Sequence, residues 1–372
     1  MSILRKHVAK EVLIPSFITF IVMTFLMLMG EVLHELADRF LSKGLALADI
    51  GMMMLYVLPP LATYTIPIAL LFGTLVAFIQ LSQDCEIIAM KSAGIPVRKA
   101  FAPAVLIGLV AAMLLLALRA EVSPWAHRRL KAFIIELVLK KPTLVLNEQS
   151  WTDKVSDMRI FVGDIDDKQM LLKDINIVIS DKNKPYRTIV SQSGKIYVSE
   201  DRTKILLELK DGSVHEYDKK DPGRYSTTTF SSLTIPASIG AIDRYVKRYH
   251  ALDYLDKREM SYGQLREKLS DPSISHKEKV GLLKHLGERT ALAFMPLTFV
   301  LIGAPLGIIP YKARRSYGLA VCACLLIVYY ALLVAGEALA KKGLVNPLLA
   351  MWIPNVFLGA TGAAFMIRAE RQ

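Results

Sequence analysis

The sequence predicts an α-helical membrane protein: six transmembrane helices, with an extracytoplasmic all-β domain, an antiparallel sandwich or roll, inserted between helices 3 and 4. Three observations lead there. Mean hydropathy is +0.37 and 53% of residues are hydrophobic, yet 22% are charged. That charge fraction is near the soluble average, so charged and apolar residues must be segregated along the chain. Six uncharged runs each reach the ~18 residues that mark a spanning helix. Between the third and fourth runs lies a long charged segment with short alternating stretches.

The runs are Val12–Gly30, Ile50–Gln83, Ala100–Leu118, Thr290–Tyr311, Ser316–Gly336 and Gly343–Ile367, each bounded by charged residues. A charge at the centre of a span costs about 2.5–3.5 kcal/mol on insertion scales, which gives these boundaries their meaning. The second run is too long for one crossing at ~1.5 Å per residue. Pro59 and Pro60 divide it into an interfacial or kinked lead-in, Gly51–Leu58, and a span, Leu61–Leu81. The first run lacks a small-residue cleavage site after it and reads as a retained anchor.

Short-loop Lys and Arg set the orientation. Arg5, Lys6, Lys10, Lys91, Arg98, Lys99, Lys312, Arg314, Arg315, Arg368 and Arg371 share one side; Arg39, Lys43, Lys341 and Lys342 share the other. The richer side is cytoplasmic, with both termini. The +12 net charge is therefore an orientation signal, and no nucleic-acid partner is expected. Three parts follow: 1–119 with a cytoplasmic segment at 82–94, an outer part at 120–289, and 290–372. In the outer part Ala120–Lys141 continues the third span as helix until Pro142. Strands follow at Arg159–Val162, Ile175–Ile179, Thr188–Ser191, Lys195–Ser199, Lys204–Lys210 and Thr227–Thr234, so the β region is about 143–237. Lys184-Pro185, Ser193-Gly194 and Asp211-Gly212 read as turns. Helix returns over 241–289, with a capping box at Ser261-Tyr262-Gly263-Gln264 and a second start at Ser275.

Several chemistries are missing. The chain has no Walker A loop, no His-Glu-x-x-His and no Gly-x-Ser-x-Gly motif. Its seven His are scattered, and Cys322-Ala323-Cys324 has the wrong spacing for zinc and reads as small apolar packing. No ionisable residue interrupts a run deeply, which argues against an ion-coupled carrier. No cofactor, no metal and no catalytic residue are expected. Three classes remain: a transport permease, a membrane scaffold whose outer β domain binds an envelope protein, and an envelope enzyme. The enzyme is weakest, because no acid/base pair lies at a span end.

Three spans, a β-rich outer domain and three spans resemble the lipopolysaccharide export permease family of the LptF/LptG type. Ser82–Gly94 is similar to the family's coupling segment, with Glu86, Met90 and Gly94 in its marked places. Arg289 through Pro305-Leu306-Gly307 resembles the family's fourth span. Gly343–Pro347 with Trp352-Ile353-Pro354-Asn355 resembles its last. The outer domain matches by position and strand character, and the resemblance implies that this all-β domain is jellyroll-like. The resemblance implies a heterodimer with a paralogous permease, a cytoplasmic ATPase dimer, a periplasmic jellyroll bridge protein, and lipopolysaccharide as cargo. It also implies ATPase coupling through Asp84, Glu86, Ala89, Met90, Lys91 and Gly94. Lipid phosphates would find bases at the outer leaflet: Arg39 and Lys43, four apart on one helix face, then Arg128, Arg129 and Lys131, and Lys341 and Lys342. The resemblance does not separate the two paralogues.

Overall fold

The computed structural model describes residues 2–32, 45–146, 148–155, 158–166, 169–179, 186–199, 205–217, 225–237, 256–308 and 315–371. The chain forms two compact units. One comprises Met1–Glu31, Met54–Arg128 and Leu255–Gln372; the other comprises Val32–Met53 and Arg129–Tyr254. Residues 255–289, read from sequence with the outer part, thus cluster with the helices.

The helices follow the charge-free runs. They are α1 (Ser2–Val32), α2 (Leu47–Gln83), α3 (Glu86–Ser92), α4 (Arg98–Ala117), a π-helical turn Leu118–Val122, and α5 (Ser123–Lys140). After the strands come α6 (Tyr262–Leu269), α7 (His276–Ile308), α8 (Arg315–Lys341), α9 (Pro347–Ala350) and α10 (Ile353–Arg371). Among the described residues, five helical stretches are long and apolar enough to cross a membrane: Ile3–Gly30, Leu47–Gln83, Arg98–Lys140, His276–Ile308 and Gly318–Lys341. The sixth expected run divides into α9, whose start Asn346 caps by accepting from Leu348 N at 3.0 Å, and α10. The expected break in the second run is also corrected. α2 is one helix of 37 residues containing Pro59, Pro60 and Pro67. Membrane helices tolerate proline where other groups meet the carbonyls it leaves free. Ala120–Lys141 does continue the third helix, and Pro142 opens a 3-10 turn after it.

Lipid supplies no hydrophobic drive between helices, so close packing of small residues holds them. A Cβ at Gly362 of α10 would lie 2.6 Å from the Leu301 backbone of α7, and one at Gly307 of α7 2.7 Å from Phe78 Cβ of α2. Burial follows: the spanning windows of α2 and α7 are each 72% buried, those of α1 and α8 only 17% and 22%. Both caps are formed. Ser261 accepts from Gln264 N at 3.3 Å while its own N–H donates to Gln264 Oε1 at 2.9 Å, and Ser275 Oγ accepts from Glu278 N at 3.2 Å.

The second unit is built on a six-stranded antiparallel sheet in sequential order. Its strands are β1 (Ser150–Val155), β2 (Met158–Asp166), β3 (Leu171–Ile179), β4 (Tyr186–Val198), β5 (Ile205–Tyr217) and β6 (Tyr225–Ala237). The jellyroll expectation becomes an antiparallel meander. β1, polar apart from Trp151 and Val155, gave no strand signal. One face carries the core, including Ile160, Leu172, Ile175, Ile177, Leu207 and Leu209, packed with Ile135, Leu137 and Val138 of α5.

Two expected turns lie inside strands. Asp211 keeps φ 51°, yet Lys210 and Gly212 on either side pair in register with Ser193 and Ser191, and with Ser232 and Phe230. Asp174, φ 53°, is placed likewise between Lys173 and Ile175. Gly163, Asp174, Gln192, Asp211 and Ser231 therefore form one crease across β2 to β6. At the crease the two-residue alternation slips by one. Buried residues are three apart there: Val162 and Ile165, Leu172 and Ile175, Ser191 and Gly194. Both halves of each strand thus turn apolar side chains to the same face. Ser193-Gly194 and Asp211-Gly212 mark this crease and not hairpins. Lys184-Pro185 lies outside the described residues.

Candidate functional site

The 82–94 segment is the first candidate. Cys85 takes φ 60° and ends the continuity of α2; Gly94 takes φ 71° and closes α3. Between them Ile87 and Met90 are buried at 3% and 7% exposure, while Ile88 is 52% exposed. Asp84, Ala89, Lys91, Ser92 and Gly94 are exposed. α3 is thus amphipathic: Ile87 and Met90 seat it among Val8, Val12, Ala77, Phe101 and Val300, and the opposite face is open. Met90, one of the residues expected in ATPase coupling, faces the helices. Glu86 is half-buried and meets His7 Nε2 at 3.0 and 3.2 Å. Lys91 Nζ donates to Ala369 O at 3.2 Å, and Arg98 Nε lies 3.4 Å from Glu370 Oε1. Sequence reading missed His7 and Glu370, because the partners stand 79 and 272 residues apart in the chain.

The bases expected to meet lipid phosphates are placed as follows. Arg39 and Lys43 lie outside the described residues. Arg128 Nη1 donates to Glu259 O and to Gln264 Oε1, both at 3.0 Å, so it ties α5 to the start of α6. Arg129 is exposed and Lys131 half-buried, one and three residues on. Lys341 meets Glu337 at 2.9 Å, and Lys284 meets the same carboxylate. Lys342 is exposed. Among the described residues no cluster of three metal-ligating side chains occurs.

Two buried cations were not anticipated in their roles. Arg289 is 7% exposed. Its guanidinium donates to Met260 O at 2.7 Å, Lys257 O at 2.8 Å and Arg258 O at 3.4 Å, and its Nε to His285 at 3.2 Å. It thereby folds the loop before α6 against α7. Arg119, the charge that bounds the third run, is 8% exposed within the π-helical turn. Its Nη2 donates to Thr63 O at 3.3 Å and its guanidinium stands 4.9 Å from the Tyr64 ring centroid. Pro67, four residues after Thr63, has no N–H to offer that carbonyl. Arg119 fills the vacancy. A proline in α2 and an arginine just past an apolar run were the only sequence signals.

The residues that carried the resemblance act as packing joints. Asn355 Nδ2 donates to Ala291 O at 2.7 Å and its Oδ1 accepts from Thr298 Oγ1 at 3.1 Å. Trp352 Nε1 donates to Thr290 Oγ1 at 3.2 Å. These bonds pin α10 to α7. No curated protein matches the chain. Residues 6–368 match the family model described as lipopolysaccharide export system permease LptF/LptG, which spans nearly the whole chain, and the protein belongs to that family: a multi-pass inner-membrane permease of lipopolysaccharide export.

Proposed function

We propose that the chain is one permease subunit of an ATP-driven transporter that extracts lipopolysaccharide from the outer leaflet of the inner membrane. It passes the lipid to a periplasmic bridge protein. A paralogous permease completes the transmembrane part with six spans from each chain, and ATP is hydrolysed by a separate cytoplasmic ATPase dimer. Both termini and α3 are cytoplasmic; residues 120–289 are periplasmic, with the β region as the module that receives lipid. Hydrophobic cost explains the architecture. Each exposed CH₂ costs about 0.8 kcal/mol, so a multi-chain lipid must pass from one apolar surface to another without stepping into water.

The observation that carries the reading is α3. It has a buried underside and an open face bearing Ile88, Ala89 and Ser92, with Asp84 exposed in the turn before it, the form of a short helix that docks in a groove. Glu86 at its start can exchange His7 for an Arg of the ATPase, a stronger charge-assisted pair. The exposed apolar side chains of α1, Phe17 at 64% and Phe25 at 60%, and of α8, Ile327 at 70%, suit lipid and the second permease. Arg39, Lys43, Arg128, Arg129, Lys131, Lys341 and Lys342 remain the bases proposed to meet lipid phosphates.

Co-purification of the ATPase from detergent extracts tests this. Ile88→Glu places a charge at the centre of the docking face and is expected to reduce ATPase recovery at least about tenfold, the scale of an interface hot spot. Glu86→Ala is expected to weaken recovery while leaving membrane insertion intact. Wild-type recovery with both variants would refute the coupling role. Recovery of the native chain with an envelope protein, but with neither ATPase nor lipid, would favour a scaffold.

A further inference from the structure

α3 is a seven-residue helix bracketed by left-handed residues at Cys85 and Gly94. Its direction is therefore not set by continuity with α2 or α4; side-chain contacts must set it. Those contacts run to the two ends of the chain. From the start of α1, His7 meets Glu86 at 3.0 Å, and Val8 and Val12, both fully buried, pack in one cluster with Ile87 and Met90. From the end of α10, the Ala369 carbonyl accepts from Lys91 Nζ at 3.2 Å, and Met366 and Ala369 border the same cluster. Glu370 pairs with Arg98, the first residue of α4, at 3.4 Å. The carbonyls of a final helical turn lack intrahelical donors and carry the negative end of the helix dipole, so a lysine at Ala369 O suits both needs.

We infer that the first turns of α1 and the last turn of α10 clamp the coupling segment, with His7 and the Arg98–Glu370 pair as positioning contacts that carry the ATPase's motion into the first and last helices. The inference rests on the coupling function proposed above for α3. The apolar cluster gives the clamp its stiffness. The polar contacts are half-exposed, with side-chain exposures of 42% and 37% for His7 and Glu86 and of 74% and 38% for Arg98 and Glu370. Such pairs are individually weak and can break and re-form within a transport cycle. His7–Glu86 acts on α3 itself, while Arg98–Glu370 holds the start of α4 to the last turn of α10 just beyond the segment.

The test is reconstitution of the chain with its paralogous permease and ATPase in proteoliposomes containing lipopolysaccharide. ATPase recovery, ATP turnover and lipid released per ATP are measured separately. Arg98→Glu, Glu370→Arg and His7→Phe are each expected to lower lipid released per ATP about threefold, the scale of one weak ion pair, with ATPase recovery at the wild-type level. The double variant Arg98→Glu with Glu370→Arg rebuilds the pair in reverse and is expected to recover at least half of the loss, which a purely local folding defect would not. Wild-type yield per ATP in the single variants, or a double variant no better than either single one, overturns the clamp. Failure of the native chain to recover any ATPase overturns the docking function of α3 and the clamp with it, and separates that case from failure of the clamp alone.

Discussion

Replacing Arg119 by methionine removes the guanidinium that meets Thr63 O at 3.3 Å and stands over Tyr64 at 4.9 Å. Three effects then compete. The Thr63 carbonyl loses its donor inside a buried site, costing about 1–3 kcal/mol. The cation–π contact disappears, costing about 0.5–2 kcal/mol. A buried charge is also removed, which returns a desolvation penalty of several kcal/mol. The sign of the single substitution is therefore not decided by the first effect alone. A double-mutant cycle with Pro67→Ala isolates that effect, because desolvation and cation–π are lost equally in both backgrounds. The Pro67→Ala substitution supplies the missing N–H to Thr63 O within the continuous helix α2. Arg119→Met is then expected to be less destabilising, or more stabilising, by about 1–3 kcal/mol in the Pro67→Ala background. Unfolding in mixed micelles by sodium dodecyl sulfate titration reads the four free energies. Equality of the two Arg119→Met effects within about 0.5 kcal/mol, the limit of additivity, would refute the carbonyl-filling role. Arg119→Lys, whose ammonium can still donate, is expected to fall between arginine and methionine.

Other expectations follow from the packing and the sheet. Gly362→Leu forces a side chain onto the Leu301 backbone 2.6 Å away; it is expected to separate α10 from α7 and destabilise the chain by about 1–3 kcal/mol in the same titration. Asn355→Leu removes two hydrogen bonds, to Ala291 O and from Thr298 Oγ1, and is expected to cost about 1–3 kcal/mol, with Asn355→Asp no better, because a carboxylate cannot donate to Ala291 O. In the sheet, Asp211→Gly removes a side chain from a left-handed position and is expected to raise the melting temperature of the chain, whereas Asp211→Val is expected to lower its stability by about 1–2 kcal/mol. A melting temperature unchanged by either substitution would show that the crease carries no local strain.

Signals confined to one turn of chain were legible in the sequence. The charge-free runs located the five long apolar helices. Ser261 and Ser275 marked helix starts, and Pro142 marked the end of α5, because each acts on backbone groups within four residues. Misreadings arose where a local signal has two physical solutions. Pro59 and Pro60 can end a helix or sit inside one, and α2 takes the second course. Asp211-Gly212 can reverse a chain or pleat it the other way. The neighbours of Asp211 keep their partners on both sides, so the strand goes on. A sheet-wide crease needs aligned residues on five strands, and no single strand announces that alignment. Contacts between distant segments were illegible for the same reason. Nothing around His7 names Glu86, and nothing around Arg119 names Thr63.

The polar residues of the helical unit divide by the job the backbone leaves them. Arg119, Arg289 and Asn355 are buried, and all three donate to backbone carbonyls. Lys91 does so at the end of α10. In an apolar medium a free carbonyl is costly, while a pair of charges must first lose its hydration. Donors that meet carbonyls complete the backbone without needing a buried carboxylate. The ion pairs, by contrast, sit where water can reach them: His7–Glu86, Arg98–Glu370, Lys284–Glu337 and Lys341–Glu337. There they cost little to break, and all but Lys341–Glu337, which lies within α8, join different helices. A permease that must hold α2, α4 and α7 together while its ends respond to a partner needs both arrangements. Exchanging them, with a carboxylate placed opposite Arg119 or a leucine pair in place of Arg98 and Glu370, would leave the interior with two charges to desolvate and the responsive end without a directional contact.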